Sequence, residues 1–161
     1  DHEMLFEGIH HTLGSEPGKG GEFFLTDAFQ FMVDQGARLR TAPVAGWYDC
    51  GKAETLIETN EHLLRTTRGG VQEGASVVGA EIVEPVRIEA GAHVHGGRIG
   101  PNVTIEANAN LVGSVLSNTL VGSGSQLEDV HLSDSLLGDR TRVRGVQGTV
   151  HLASDSVVDC G

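Results

Sequence analysis

From Ile82 to Val143 the chain places a large aliphatic residue at Ile82, Ile88, Val94, Ile99, Ile105, Leu111, Leu116, Val121, Leu127, Leu132, Leu137 and Val143, in steps of 6, 6, 5, 6, 6, 5, 5, 6, 5, 5 and 6. An amphipathic helix repeats at three and four, and a half-buried strand at two. Neither fits this beat. A short fixed period marks a solenoid, and a hexapeptide period a parallel β-helix, where each repeat lays down one short strand and one turn.

Five repeats, opening at Ile88, Ile99, Ile105, Val121 and Leu137, share an internal plan. Four places after the aliphatic comes a small or β-branched residue: Ala92, Val103, Ala109, Ser125 and Thr141. The aliphatic is expected to fill the axis of a narrow triangular prism, with the smaller residue at the corner beside it. Gly, Asn and Asp in between suit corners because they tolerate positive φ. Three faces per coil and about twelve repeats give roughly four coils, a prism about 20 Å long at the strand-stacking distance. Residues 148–161 are expected to supply a last turn or a capping strand.

Before the repeats the pattern is helical. Met4, Leu5, Ile9 and Leu13 predict a helix within residues 1–14, stopped by Gly14. A second helix is expected over 26–35, with Thr26 as its cap, Asp27 in its first turn and Gly36 at its end. Leu39 to Val44 reads as a short strand. Trp47-Tyr48-Asp49-Cys50-Gly51 reads as a tight turn, with both aromatics in the core. A third helix follows over 53–66, with Leu56, Ile57, Asn60, Leu63 and Leu64 on one face. The loop Ser15–Gly21 holds a lysine among glycines but lacks the GxxxxGK[ST] phosphate-cradle spacing.

Composition narrows the function classes. Twenty-three glycines and 4% aromatics among 161 residues suit a thin solenoid better than a globular core. A net charge of −11 argues against a nucleic-acid partner. No apolar run is long enough to cross a membrane. Cys50 and Cys160 stand far apart without CxxC spacing, which points to reduced thiols and a cytoplasmic setting.

Three stretches carry a family resemblance: Gly21-Glu-Phe-Phe-Leu-Thr-Asp27, Gly46-Trp-Tyr-Asp-Cys-Gly51, and the helix with Leu56, Asn60, Leu63 and Leu64. In this order they resemble the end of the catalytic domain of sugar-phosphate nucleotidyltransferases of the glucose-1-phosphate thymidylyltransferase type. Some members continue into a left-handed β-helix, as this chain is expected to do. The fold class that follows is mainly β: a left-handed parallel β-helix after a small α/β remnant. The expected division is 1–68 for the catalytic-domain portion and 69–161 for the β-helix.

The resemblance implies a reaction joining a nucleoside triphosphate to a sugar 1-phosphate, with Mg²⁺ as cofactor. Asp49 would be one of two aspartates holding the metal; its alternative role is to complement the N-terminus of the following helix. Glu22 would accept hydrogen bonds from sugar hydroxyls, Gly51 would permit the turn that aims Asp49, and Trp47 would pack behind it. The family's N-terminal Gly-rich loop, its lysine and its first metal aspartate have no counterpart here. The chain therefore reads as a C-terminal piece without transferase activity of its own. The β-helix is expected to drive homo-oligomerisation. The alternative is a hexapeptide acyltransferase or a bifunctional enzyme, for which His93, His95 and His131 are candidates by residue type alone. The pair His93 and His95 is too small for a closed zinc site, and outward positions at coil corners are expected for it.

Overall fold

The periodic aliphatics converge on one axis. In the computed structural model, which describes residues 1–161, eleven of the twelve are buried and Ile82 packs against them half-buried. The residues four places on, Ala92, Val103, Ala109, Ser125 and Thr141, are all fully enclosed. Large side chains meet at the centre and small ones fit the corners, so every rung is filled without aromatic bulk.

The chain divides into two compact units, Asp1–Gly46 and Trp47–Gly161. The first holds α1 (His2–Leu13) and α2 (Leu25–Asp34). The Asp1 carboxylate caps α1 by accepting the Glu3 and Met4 backbone N–H groups. Thr26 does not cap α2: the helix begins at Leu25 with Phe24 at the cap position and no side-chain cap. Its other end closes as expected at Gly36 (φ +88), where the Gly36 and Ala37 N–H groups bond the Val33 and Met32 carbonyls. The helices meet where a Cβ on Gly8 would stand 2.7 Å from the Ala28 carbonyl oxygen. Leu39–Val44 forms no strand. Strands need a paired neighbour, and all fifteen strands of this chain lie at or after Gly70. The expected α/β remnant is therefore helix and loop.

The second unit opens with the Trp47–Gly51 turn and α3 (Ala53–Thr66). The first coil is β1 (Gly70–Val71), β2 (Ser76–Val78) and β3 (Glu81–Ile82). The second is β4 (Val86–Ile88), β5 (His93–His95) and β6 (Arg98–Ile99). Then come β7 (Val103–Ile105), β8 (Asn110–Val112) and β9 (Val115–Val121). β10 (Gln126–Glu128) and β11 (His131–Leu137) follow, then β12 (Arg142–Arg144), β13 (Gln147–Gly148), β14 (His151–Leu152) and β15 (Val157–Asp159). Every pairing is parallel. One face stacks β2, β5, β8, β10, β12 and β15. β9 and β11 turn a corner without a break and serve two faces each.

The solenoid has about six turns rather than four, so it is about 25 Å long at the usual stacking distance. The extra rungs lie outside the Ile82–Val143 window, at Val77 below and at Leu152 and Val158 above, where burial is partial. Residues 148–161 supply the last turn, as expected.

α3 packs along the face that carries β7, the second half of β9 and the second half of β11. The outward positions there include Leu120 and Leu136, both half-buried instead of exposed. α3 is what covers them; on the face without a helix the outward Val78, Val112 and Val157 stay exposed.

Candidate functional site

The Trp47–Gly51 turn folds back along α3. The Tyr48 ring stacks on His62 with centroids 4.3 Å apart, and its hydroxyl meets His62 Nδ1 at 3.0 Å. Cys50 Sγ reaches Thr59 Oγ1 at 3.7 Å. Asp49 Oδ1 accepts the Gly51 N–H at 3.0 Å, which closes a small loop around the carboxylate. A Cβ on Gly51 would stand 3.2 Å from that same oxygen. Gly51 is not in the left-handed region; its bare α-carbon gives the Asp49 carboxylate room to approach.

Trp47 and Tyr48 are not core residues. Trp47 is 83% exposed and Tyr48 50%. No segment of the chain covers the indole, and Tyr48 finds only the α3 surface as a partner. Asp49 is likewise exposed. Glu22 lies in the first unit, in an exposed loop where its carbonyl accepts the Gly18 N–H at 2.9 Å. The structure thus joins Asp49 and Gly51 directly and leaves Glu22 in the other unit.

Sequence reasoning missed the role of Asn60, which it counted as one more residue of the α3 inner face. Asn60 is buried and uses both ends of its amide. Thr104 Oγ1 donates to Asn60 Oδ1 at 2.6 Å, and Asn60 Nδ2 donates to the Asn102 carbonyl at 3.3 Å. Asn102 begins a ladder along the corner: its Nδ2 donates to Asn118 Oδ1 at 2.8 Å, and Asn118 Nδ2 donates to Asp134 Oδ1 at 3.1 Å. The ladder stops below Asn102 because the next corner holds Pro85, which accepts the Asn102 N–H on its carbonyl and offers no side-chain donor. Asn102 Oδ1 is left buried without a partner. The signal available in sequence was a polar residue at the centre of an apolar helical face.

His93 and His95 are the first and last residues of β5 and lie exposed on either side of buried Val94. His131 opens β11 on a different face. No connection between solenoid strands exceeds four residues, so no loop arches over these imidazoles. No group of three or more His, Cys, Asp or Glu side chains is placed to hold a metal ion. No helix is long and apolar enough to cross a membrane.

No family model matches the chain. Individual relatives do. It is 42% identical over 139 residues to the low-salt glycan biosynthesis nucleotidyltransferase Agl11 of Haloferax volcanii, covering 83% of this chain and 37% of that protein. It is 28% identical over 159 residues to a glucose-1-phosphate thymidylyltransferase of Streptomyces antibioticus, covering 92% of this chain and 38% of the relative. A further thymidylyltransferase, from Streptomyces griseus, is 31% identical over 87 residues, 50% of this chain and 24% of the relative. The chain is a relative of the nucleotidyltransferases. It spans less than two fifths of the length of each of these proteins.

Proposed function

We propose that the chain forms the sugar-side end and the β-helix of a sugar-1-phosphate nucleotidyltransferase, which makes a nucleotide sugar and pyrophosphate. The similarity to the Haloferax nucleotidyltransferase carries this reading. It covers 83% of the chain, more than residues 47–161 can supply alone, so it includes helical segment and solenoid together. Residues 1–68 then belong to the catalytic portion and 69–161 to the β-helix.

In such a reaction a sugar-phosphate oxygen attacks the α-phosphorus, a new P–O bond forms in line, and the bond to the departing pyrophosphate breaks. Mg²⁺ supplies charge neutralisation at the phosphate oxygens. Asp49 fits as one of its ligands: an exposed hard-oxygen donor with one oxygen already fixed by the Gly51 N–H. One or two carboxylates suit Mg²⁺, which keeps several waters and phosphate oxygens around it, and Asp49 would be one of the two. Glu22 accepts hydrogen bonds from sugar hydroxyls. In the first unit Phe6, Leu13, Phe23, Phe24 and Leu25 are all exposed. So much uncovered apolar surface supports a place within a larger domain. The β-helix, with unpaired strand edges at both ends, serves homo-oligomerisation.

Pyrophosphate release from a nucleoside triphosphate and a sugar 1-phosphate, beginning with dTTP and glucose 1-phosphate, tests the reading. The full product of the gene is expected to be active and the 161-residue chain inactive. Asp49→Asn is expected to lower the activity on the order of 100-fold, a usual penalty for deleting one charge-stabilising group. Activity in the isolated chain, or an Asp49→Asn protein as fast as its parent, would refute it.

A further inference from the structure

We propose that Asn60 is a positioning residue: it fixes α3, and through α3 the turn that carries Asp49, at a set height on the solenoid. The inference rests on the reading of Asp49 as a metal ligand. Two links make the connection. The turn is held on α3 by the Tyr48–His62 stack and the Cys50–Thr59 contact. α3 is held on the solenoid by Asn60, through the Thr104 hydroxyl and the Asn102 carbonyl. Apolar packing against Leu120 and Leu136 is non-directional and sets the height of α3 less sharply than a directed bond does. A buried amide can satisfy both its ends in one place only, and leaving it unpaired is penalised. Asn102 is itself pinned by its left-handed backbone (φ 60) and its bond to Asn118. Asp49 thus inherits its place from a corner of the β-helix that never touches it.

Asn60→Leu, which keeps the branched outline of the side chain without the amide, tests this in the isolated chain, and Thr104→Val serves as the milder variant. Tyr48 is the single tyrosine of the chain, so its ring resonances, set by the stack on His62, are unambiguous; the Gly51 amide reports on the Asp49 loop. In both variants these two signals are expected to shift and broaden. Amide exchange across α3 is expected to quicken about tenfold, the scale of one or two lost hydrogen bonds. Amides of β4 to β12 should keep their exchange rates. In the full gene product the Mg²⁺ concentration for half-maximal rate should rise severalfold, with the sugar-phosphate KM unchanged. Unaltered Tyr48 and Gly51 signals, or accelerated exchange throughout the solenoid, would overturn the proposal. The resonance and exchange results stand without any transferase activity, so failure of the functional reading appears separately as an inactive full product.

Discussion

The Asn102 side-chain amide donates to Asn118 Oδ1 at 2.8 Å across one full coil, and both residues hold left-handed backbone, with φ of 60 and 44. The direction of the chain of bonds is set from its far end. Asp134 only accepts when ionised, so Asn118 must turn its NH₂ toward it and its carbonyl toward Asn102.

Asn118→Ala removes the middle of this ladder. It loses two side-chain hydrogen bonds and puts a Cβ residue without local polar support into the left-handed region. The expected loss of stability is roughly 2–3 kcal/mol, read from urea midpoints. Asn118→Gly should recover the backbone part, about 1 kcal/mol, and not the rest. Equal stability of Asn118→Ala and the parent would mean the ladder contributes nothing.

Gly96 and Gly97 are adjacent and both left-handed, with φ of 68 and 80. A Cβ on Gly96 meets nothing within 4 Å, whereas one on Gly97 overlaps the Ser114 carbonyl of the next coil. Gly96→Ala should therefore cost about 1 kcal/mol, from backbone strain alone. Gly97→Ala must also push two rungs apart, for a total of about 2–4 kcal/mol. Thermal unfolding of the two variants should separate them clearly; the reverse order would contradict the rung spacing described here.

Burial holds the Glu106 carboxyl above its ordinary value, and the charges of Asp139 and Glu89 push the same way, partly opposed by a hydrogen bond from the Ser123 backbone. A carboxyl with a raised folded value favours the native state while protonated. That contribution is complete below the unfolded value and is lost as pH rises through the folded one. Glu106→Gln mimics the protonated form. It is expected to raise the melting temperature at pH 7, with the gain shrinking as pH falls toward the ordinary carboxyl range. Added salt should narrow the gain too, because Asp139 and Glu89 are screened. A gain that is the same at acidic and neutral pH would show that charge is not its source.

The rod was legible because its rule is local and repeats. A residue type at every fifth or sixth place, and a small one four places later, recovers the core residue by residue. α3 was legible for a similar reason: the spacing gives its observed bounds, although Leu63, placed by that pattern on the inner face, is 50% exposed. What escaped depends on what lies opposite. Asn60 looks like a flaw in an apolar face until Thr104, forty-four residues later, is brought beside it. Trp47 and Tyr48 have the composition of core residues, yet nothing in the chain covers the indole. The α2 cap fails at Thr26 because the helix starts one residue earlier, at Leu25, leaving the threonine inside the first turn. Asp49 and Gly51 were legible as a pair by resemblance; that the glycine makes room for the carboxylate is visible only in three dimensions.

The uneven steps of the aliphatic pattern resolve once the corners are told apart. Ile88 to Val94 and its counterparts in later coils are always six apart, and Val94 to Ile99 and its counterparts always five. At the remaining vertex the step runs six from Ile82 to Ile88 and from Ile99 to Ile105, five from Leu116 to Val121 and from Leu132 to Leu137, and four from Gly148 to Leu152. Both six-residue passages contain a proline, Pro85 or Pro101. The molecule therefore has two vertices of invariant length and one that acts as an expansion joint. Residues can be gained or lost at that joint without turning a single core side chain outward, whereas the same change elsewhere would invert the strand that follows.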